Sequence, residues 1–447
     1  MAEAITAHEA APTGRLKLSD WKVIVLSSLG GALEFYDFVI FSTFAVYIGH
    51  QFFPSDNKVT ELLQTFVVFA VGYLARPIGG IVLSNFGDRF GRRKVFIASM
   101  LSMSAATVCM GLLPGYGQWG VAATLLMVLL RIAQGFSLGG ELPGAITYVV
   151  ETAPRSAGFA AGVIFFCVNS GVGLASVLSL ALHKYLSADE LAAWGWRIAF
   201  MVGGVLGLIS FKLRLSLEET PEFNKIRSGG GSAKAPFGEL VRTHGPQVWI
   251  GIAAMSLTAG FNGIVFSLPA FMPNALGYTA GEAITCQTVL LAVMSAGLLL
   301  AAWAGDRIPR RWLLRAGGLA FALLGVLWYR AASDHSVNIY VLGAVAGLVG
   351  SLSNGTWCSV IADLFPTRIR FSGIATVLNI SFAVFSGVAP FVATLLVKET
   401  GDPASAGWFV AGCGALCFAS SLVLKRYDGR ILQDVEAADR LYRSKLH

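Results

Sequence analysis

The chain has 447 residues, 55% of them apolar and 13% charged, with a formal net charge of +7 and a mean hydropathy of +0.67. Soluble domains carry about a quarter charged residues, so this composition leaves too little polar surface for water-soluble globules and places the chain in lipid. The basic residues sit in short loops between apolar runs rather than on one soluble face, so nucleic acid is not an expected partner.

Residues 1–20 hold Glu3, His8, Glu9, Arg15, Lys17 and Asp20, with no apolar stretch and no small-residue cleavage site, and read as a tail without a signal peptide. Apolar runs follow near 22–48, 60–84, 95–113, 120–150, 157–182, 196–217, 248–271, 283–303, 312–331, 337–361, 371–397 and 407–424. Twelve units of about 37 residues each fit spanning helices of roughly 20 residues with short connections. The expected fold is an all-α membrane protein of twelve transmembrane helices in two six-helix bundles, 21–217 and 248–424. A central loop, 218–247, contains the flexible Ser228-Gly229-Gly230-Gly231-Ser232, and a second tail covers 425–447. An even number of spans puts both termini on one side. With the N-terminus inside, the inner segments hold 24 of the 33 lysines and arginines and the outer loops five, so both termini are expected in the cytoplasm.

The six cysteines lie in apolar runs without metal-ligand spacing and read as buried small side chains. All six histidines fall in tails or loop regions, which argues against a histidine relay at mid-membrane. No metal or cofactor is expected.

The two halves repeat. Gly87-Asp88-Arg89-Phe90-Gly91-Arg92-Arg93 after span two recurs as Gly305-Asp306-Arg307-Ile308-Pro309-Arg310-Arg311 after span eight, and Glu151-Thr152-Ala153-Pro154-Arg155 after span four has a counterpart in Asp363-Leu364-Phe365-Pro366-Thr367-Arg368 after span ten. A G-x-x-x-D-R-x-G-R-R loop in this position resembles the major facilitator superfamily. Glu34-Phe35-Tyr36-Asp37-Phe38, Arg76-Pro77-Ile78-Gly79-Gly80, the stretch Arg131 to Glu141, Gly195-Trp196-Arg197, Glu219-Thr220-Pro221-Glu222-Phe223 and Leu364 to Arg370 narrow the resemblance to the metabolite:proton symporter family. Ser84 and Pro309 depart from the loop motif, each standing where glycine is usual. The resemblance implies a multi-pass protein of a bacterial inner membrane that works as a monomer by rocker-switch alternating access. It also implies symport of a proton with a small organic solute: citrate or another carboxylate, shikimate, 2-oxoglutarate, proline or betaine. Lys398-Glu399-Thr400-Gly401-Asp402 followed by Trp408 resembles the end of citrate and tricarballylate carriers, and intramembrane arginines favour an organic anion. A carboxylate such as citrate or a dicarboxylate is therefore the leading expectation, with a proline- or betaine-type osmolyte and an uncoupled facilitator or exchanger as alternatives. No ATP-binding loop, HExxH, serine elbow or metal-spaced His/Cys set is present, so neither an ATP-driven pump nor a membrane enzyme is expected, and the short central loop argues against a sensor.

Ionisable residues inside a span cost a few kcal/mol or more unless paired or wetted, which makes each a functional candidate. In the first half Glu34, Asp37, Arg76, Arg131 and Glu141 lie inside apolar runs, whereas the second half has no charge near the centre of a span. At 1.5 Å per residue, Glu34 and Asp37 lie about 18 and 22 Å from the inner end of span one, and Arg131 about 15 Å from the outer end of span four. Asp37 or Glu34 is expected to carry the proton, with Arg131 as its partner or as the solute's anchor through bidentate contact with a carboxylate; a static ion pair is the alternative. Arg76 and Glu141 share a level and form a candidate second pair. Arg131, Gln134 and Glu141 fall within about an 80° stripe on an ideal helix and form a candidate pathway wall. Asn262, Asn354 and Asn379, with Gln287 and Asn169, are candidates either for solute contact or for interhelical packing. Trp21, Phe35, Tyr36, Phe38, Phe41 and Phe44 either cage a quaternary ammonium or face lipid and packing. The resemblance further implies gates: Asp88, Arg89, Arg92 and Arg93 latch the inner side, with Asp88 docking near Ser372 at the start of span eleven. Arg92–Glu151 and Arg310–Asp363 are the breakable ion pairs, and Asp306 repeats Asp88. The alternative role for these loops is topology alone.

Overall fold

Span one is built from a helix, Leu18–Thr43, and a shorter one, Ala45–Phe52, with the stretch Gly31–Thr43 set at 60° to the second. The bend has a local cause: the Ser42 and Thr43 hydroxyls both donate to the Val39 carbonyl, at 3.1 and 3.2 Å, and such back-bonding bends helices. Span two is Lys58–Phe90, three is Arg92–Leu112, four is Val121–Leu138 with Glu141–Thr152, five is Ala157–Tyr185 and six is Trp196–Leu215. In the second half, span seven is Gly245–Ala275, eight Ala280–Gly305, nine Arg310–Ser333, ten Ile339–Asn354 with Trp357–Leu364, and twelve Gly407–Ser421. Span eleven is Thr367–Ser381, a π-helical turn at Phe382–Ser386, and Ala389–Thr400. The computed structural model describes residues 18–90, 92–152, 156–215, 240, 242–427, 429 and 431. Within these, the side chains of 18–27, 29, 30, 34, 84–90, 92–97, 141, 148, 151, 152, 210, 213–215, 367 and 368 lie outside the description.

Among the described residues, ten stretches are long and apolar enough to cross a bilayer. The bent pair in span one makes an eleventh, and Ala98–Leu112 in span three is a shorter apolar helix. Span eight starts on a capping box: Thr279 Oγ1 accepts from the Glu282 N–H at 3.2 Å while Glu282 Oε2 accepts from the Thr279 N–H at 2.8 Å. Leucines such as Leu112, Leu129, Leu300, Leu323 and Leu348 stay exposed on the outer surface, where lipid replaces water as solvent.

The helix pairings of the first half recur in the second. Spans two and four, three and six, one and six, and one and five pack together, as do eight and ten, nine and twelve, seven and twelve, and seven and eleven. The halves meet along spans five and eight, two and eleven, and one and seven. Spans two and four lie unusually close because small residues face each other: a side-chain carbon on Gly135 would collide with the Gly72 backbone, and one on Gly79 with the Phe136 backbone.

Four cysteines, Cys286, Cys358, Cys413 and Cys417, are buried as expected, but Cys109 is exposed and Cys167 only half-buried. Apolar runs in a membrane protein have a lipid face as well as a core face, so hydropathy alone does not separate the two.

Candidate functional site

Asp37 is buried on span one, with its carboxyl beside Thr107 of span three and Gly203 of span six. Glycine at 203 makes room for this carboxyl, since a side-chain carbon there would push against Asp37 Oδ1. Arg131 is fully buried on span four and is not hydrogen-bonded to Asp37. Its Nη1 donates to the Phe38 carbonyl at 3.0 Å and to Gln134 Oε1, and its Nε and Nη2 have no hydrogen-bond partner among the described residues. Gln134 links the two, since its Nε2 donates to the Asp37 carbonyl at 3.0 Å and to Thr107 Oγ1 at 2.9 Å. The expected direct Asp37–Arg131 pair is not formed: Gln134 joins Arg131 to the Asp37 main chain and to Thr107, whose hydroxyl donates to the Met103 carbonyl at 3.1 Å, and Asp37 Oδ1 has no hydrogen-bond partner among the described residues. Phe38, Phe41 and Phe69 enclose the guanidinium, with ring centroids 3.8, 4.6 and 5.0 Å from Arg131 Cζ. Cation–π contacts in such a desolvated setting contribute about 2 kcal/mol, less than the cost of an unpaired guanidinium at mid-membrane.

Arg76, on span two, is also fully buried, and its Nε, Nη1 and Nη2 all lack hydrogen-bond partners among the described residues. Three rings surround it: Phe382 at 4.9 Å, Tyr73 at 5.5 Å and Phe35 at 6.0 Å. Tyr73 and Phe382 stack at 5.9 Å across the boundary between the halves. Tyr73 also meets Phe38 edge-on at 4.6 Å, so the rings of the two arginine boxes touch. Pro77 carries no N–H, so the Tyr73 carbonyl is released from the bond it would otherwise accept. Opposite, the π turn at Phe382–Ser386 directs Phe382 and Ser386 inward, as such turns often do at functional sites.

Several expected site residues fall elsewhere. Glu34 and Glu141, with gate residues Asp88, Arg89, Arg92, Arg93 and Glu151, lie outside the described side chains, so the Arg76–Glu141 and Arg92–Glu151 pairs lie there too. The Arg131–Gln134–Glu141 stripe assumes one unbroken helix, but span four has a turn at Gly139–Gly140 before its second helix. The Tyr36 hydroxyl donates to the Ala199 carbonyl of span six at 2.8 Å, which ties spans one and six together. Phe35, Tyr36, Phe38, Phe41 and Phe44 are all buried, which overturns the lipid-facing alternative for them. Four of the five amides bridge helices, while Asn169 is buried with its Nδ2 lacking a hydrogen-bond partner among the described residues. Asn262 Nδ2 donates to Asn354 Oδ1 at 3.1 Å, Gln287 Nε2 donates to the Val265 carbonyl at 2.6 Å while its Oε1 accepts from Ser176 Oγ at 2.6 Å, and Asn379 Nδ2 donates to the Gly139 carbonyl at 2.7 Å. His183 is half-buried in the last turn of span five, where Nε2 meets the Tyr47 hydroxyl at 3.0 Å.

The second copy of the loop motif forms a cross-half latch. Asp306 Oδ1 and Oδ2 accept from the Gly158 and Phe159 N–H groups, each at 2.8 Å, at the start of span five. A helix N-terminus offers unpaired N–H groups and the positive end of the dipole, so a carboxylate is well held there. Arg310 braces the latch, donating to Asp306 Oδ1 at 3.0 Å and to Asp363 Oδ2 at 2.8 Å.

The Sugar (and other) transporter family matches residues 23–243, and the Major Facilitator Superfamily matches residues 250–438. A provisionally named proline/betaine transporter of Staphylococcus aureus (strain COL) is 32% identical over 89% of this chain and 86% of its own length. This chain belongs to the major facilitator superfamily. Further relatives of this transporter are a glycine betaine/proline/ectoine/pipecolic acid transporter, OusA, of Dickeya dadantii (28% identical, covering 95% of this chain and 86% of the relative), and a proline/betaine transporter of Salmonella typhimurium (27%, 93% and 86%). Among solved structures, a D-xylose-proton symporter superposes with a TM-score of 0.69 at 18% identity, covering 91% of this chain and 97% of its own. The proton:xylose symporter XylE bound to 6-bromo-6-deoxy-D-glucose superposes with 0.72 at 17% identity, covering 94% and 98%. At such identities the likeness is one of fold.

In the transporter, both ends of the boundary between the halves carry contacts. At the end bearing the repeated basic loops these are Asp306 on span five and Asn379 on Gly139. At the opposite end Ser42 Oγ donates to the Phe266 carbonyl at 2.8 Å, and Ala45, Leu62 and Phe66 pack with Ala270 and Phe391. Asp37, Arg76 and Arg131 lie enclosed between these two closures. Sequence reasoning missed Tyr73, Thr107, Phe382 and Ser386. Tyr73 alone had a signal, lying three residues before Arg76 and so on the same helix face.

Proposed function

We propose that this transporter imports a small osmolyte of the proline or betaine class together with a proton, and that the end carrying the basic loops faces the cytoplasm. The observation that carries the reading is the enclosed group Asp37, Thr107, Gln134 and Arg131, a buried carboxyl connected through Gln134 to an arginine that lacks full hydrogen bonding among the described residues, at mid-span in the first half. A carboxyl in that setting exchanges a proton only when one compartment wets it, and closure at either end decides which compartment does so. The relatives' names favour proline and betaine as solutes, and this reading takes precedence over citrate or a dicarboxylate, for which those relatives offer no support. A zwitterion also suits a site where a guanidinium and aromatic faces lie together, since its carboxylate and its cationic end each find a partner.

The test uses purified protein in liposomes with an acidic exterior. Glycine betaine and proline are expected to accumulate against their gradients, citrate and succinate are not, and dissipating the proton gradient should abolish the accumulation. Accumulation of citrate or succinate in place of the zwitterions, or accumulation that ignores the gradient, would overturn the reading.

A further inference from the structure

We propose that Arg76, boxed by Phe35, Tyr73 and Phe382, is the seat of the solute's carboxylate, and that the same rings take its cationic or saturated-ring end; the inference rests on the zwitterion reading above. All three guanidinium nitrogens lack partners among the described residues while the side chain is fully buried. Guanidinium groups offer five donors in a planar fork that matches a carboxylate bidentately. Stacked Tyr73 and Phe382 present ring faces beside that fork, at 5.5 and 4.9 Å from Arg76 Cζ. In glycine betaine or proline only one carbon separates the carboxylate from the nitrogen, so both ends of the solute stay within a single ring-lined site.

The position of the rings adds a mechanical point. Phe35 and Tyr73 belong to the first half and Phe382 to the π turn of span eleven in the second. A solute held by Arg76 therefore touches both halves and favours their closed arrangement, while the Asp37 network stays a separate site on the other side of the Tyr73–Phe38 ring contact. Asn379, one turn before Phe382, has an Oδ1 without a hydrogen-bond partner among the described residues, and its Nδ2 lies against Gly80, one turn after Arg76.

The experiment measures equilibrium binding of glycine betaine, L-proline, choline, citrate and succinate to the purified transporter. Choline keeps the quaternary ammonium but lacks the carboxylate. The wild type is expected to bind glycine betaine at least about tenfold more tightly than choline, a comparison that needs no variant. Arg76→Lys keeps the charge but loses the fork and should weaken glycine betaine and proline about tenfold; Arg76→Met should weaken them about 100-fold, with choline unchanged by either. Phe382→Leu should weaken glycine betaine and choline alike. Glu34 and Glu141 are carboxylates on neighbouring spans, so Glu34→Gln and Glu141→Gln are included: if Arg76 only neutralises one of them, that variant will match Arg76→Met in its loss, and the proposal falls. Monodisperse Arg76→Lys and Arg76→Met proteins that bind both zwitterions as the wild type does would also overturn it. Should the wild type bind citrate or succinate but neither zwitterion, the zwitterion reading fails while Arg76 is judged by the same variants on the bound acid. Binding of none of the five probes would overturn both.

Discussion

The two halves share one packing plan but differ in what they bury. The first half encloses Asp37, Arg76 and Arg131 at mid-span, with both guanidiniums wrapped in phenylalanine and tyrosine. At the corresponding depth the second half buries Asn262, Asn354, Gln287 and Asn379, and spends these amides on bonds between helices. A buried charge costs several kcal/mol and is retained where it exchanges partners, whereas a buried amide bridging two helices contributes about 0.6 kcal/mol and holds a shape. On the proposed function, this contrast puts the proton chemistry in the first half and makes the second a movable wall.

The strongest way to break this contrast is Asp37→Asn. Gradient-driven accumulation of glycine betaine should fall about 100-fold, to simple equilibration, while counterflow exchange persists, as expected when a mobile proton is lost but the pathway remains. If accumulation survives, the first half is not the coupling half. Gln134→Leu, which cuts the relay between Thr107 and Arg131, should lower coupled uptake about tenfold with little change in counterflow; uptake matching the wild type would remove the relay from the mechanism. Asp306→Asn weakens two charge-assisted bonds and a dipole contact at the start of span five, about 1–2 kcal/mol in all. The expected result is roughly tenfold greater thiol accessibility of cysteines introduced near Gly158, and unchanged labelling would reduce Asp306 to a topology signal. The smallest effects belong to the second half: Asn262→Ala and Gln287→Ala should each lower the unfolding midpoint by a few degrees and change solute affinity by less than about threefold. A tenfold loss of affinity in either would turn these amides from helix ties into solute contacts and end the comparison.

Much of the architecture was legible before any coordinates, because twelve apolar runs and the repeat of Asp88 as Asp306 are properties of the chain itself. The charged residues Asp37, Arg76 and Arg131 were legible for the same reason, since lipid makes any charge in a span conspicuous. Their partners were not. Periodicity says which face of a helix Tyr73 occupies, but its stacking on Phe382 depends on how spans two and eleven meet across the halves, and the π turn that presents Phe382 leaves no local trace in the sequence. Tyr36 illustrates the same limit, since nothing local to a tyrosine beside Asp37 says that its hydroxyl reaches the Ala199 carbonyl of span six. The latch on span five escaped because the resemblance directed attention to the first loop copy and span eleven.

The glycine-lined contact between spans two and four constrains the coupling of proton and solute. Arg76 rides on one of these helices and Arg131 on the other, and with Gly72 against Gly135 and Gly79 against Phe136 the pair has no slack to slide or splay. The two cations are therefore mounted on a single tightly packed plate, like marks on a ruler. If cargo and proton occupy the two proposed sites, communication between them runs through what covers the plate, and span eleven with its π turn is the element placed to carry it.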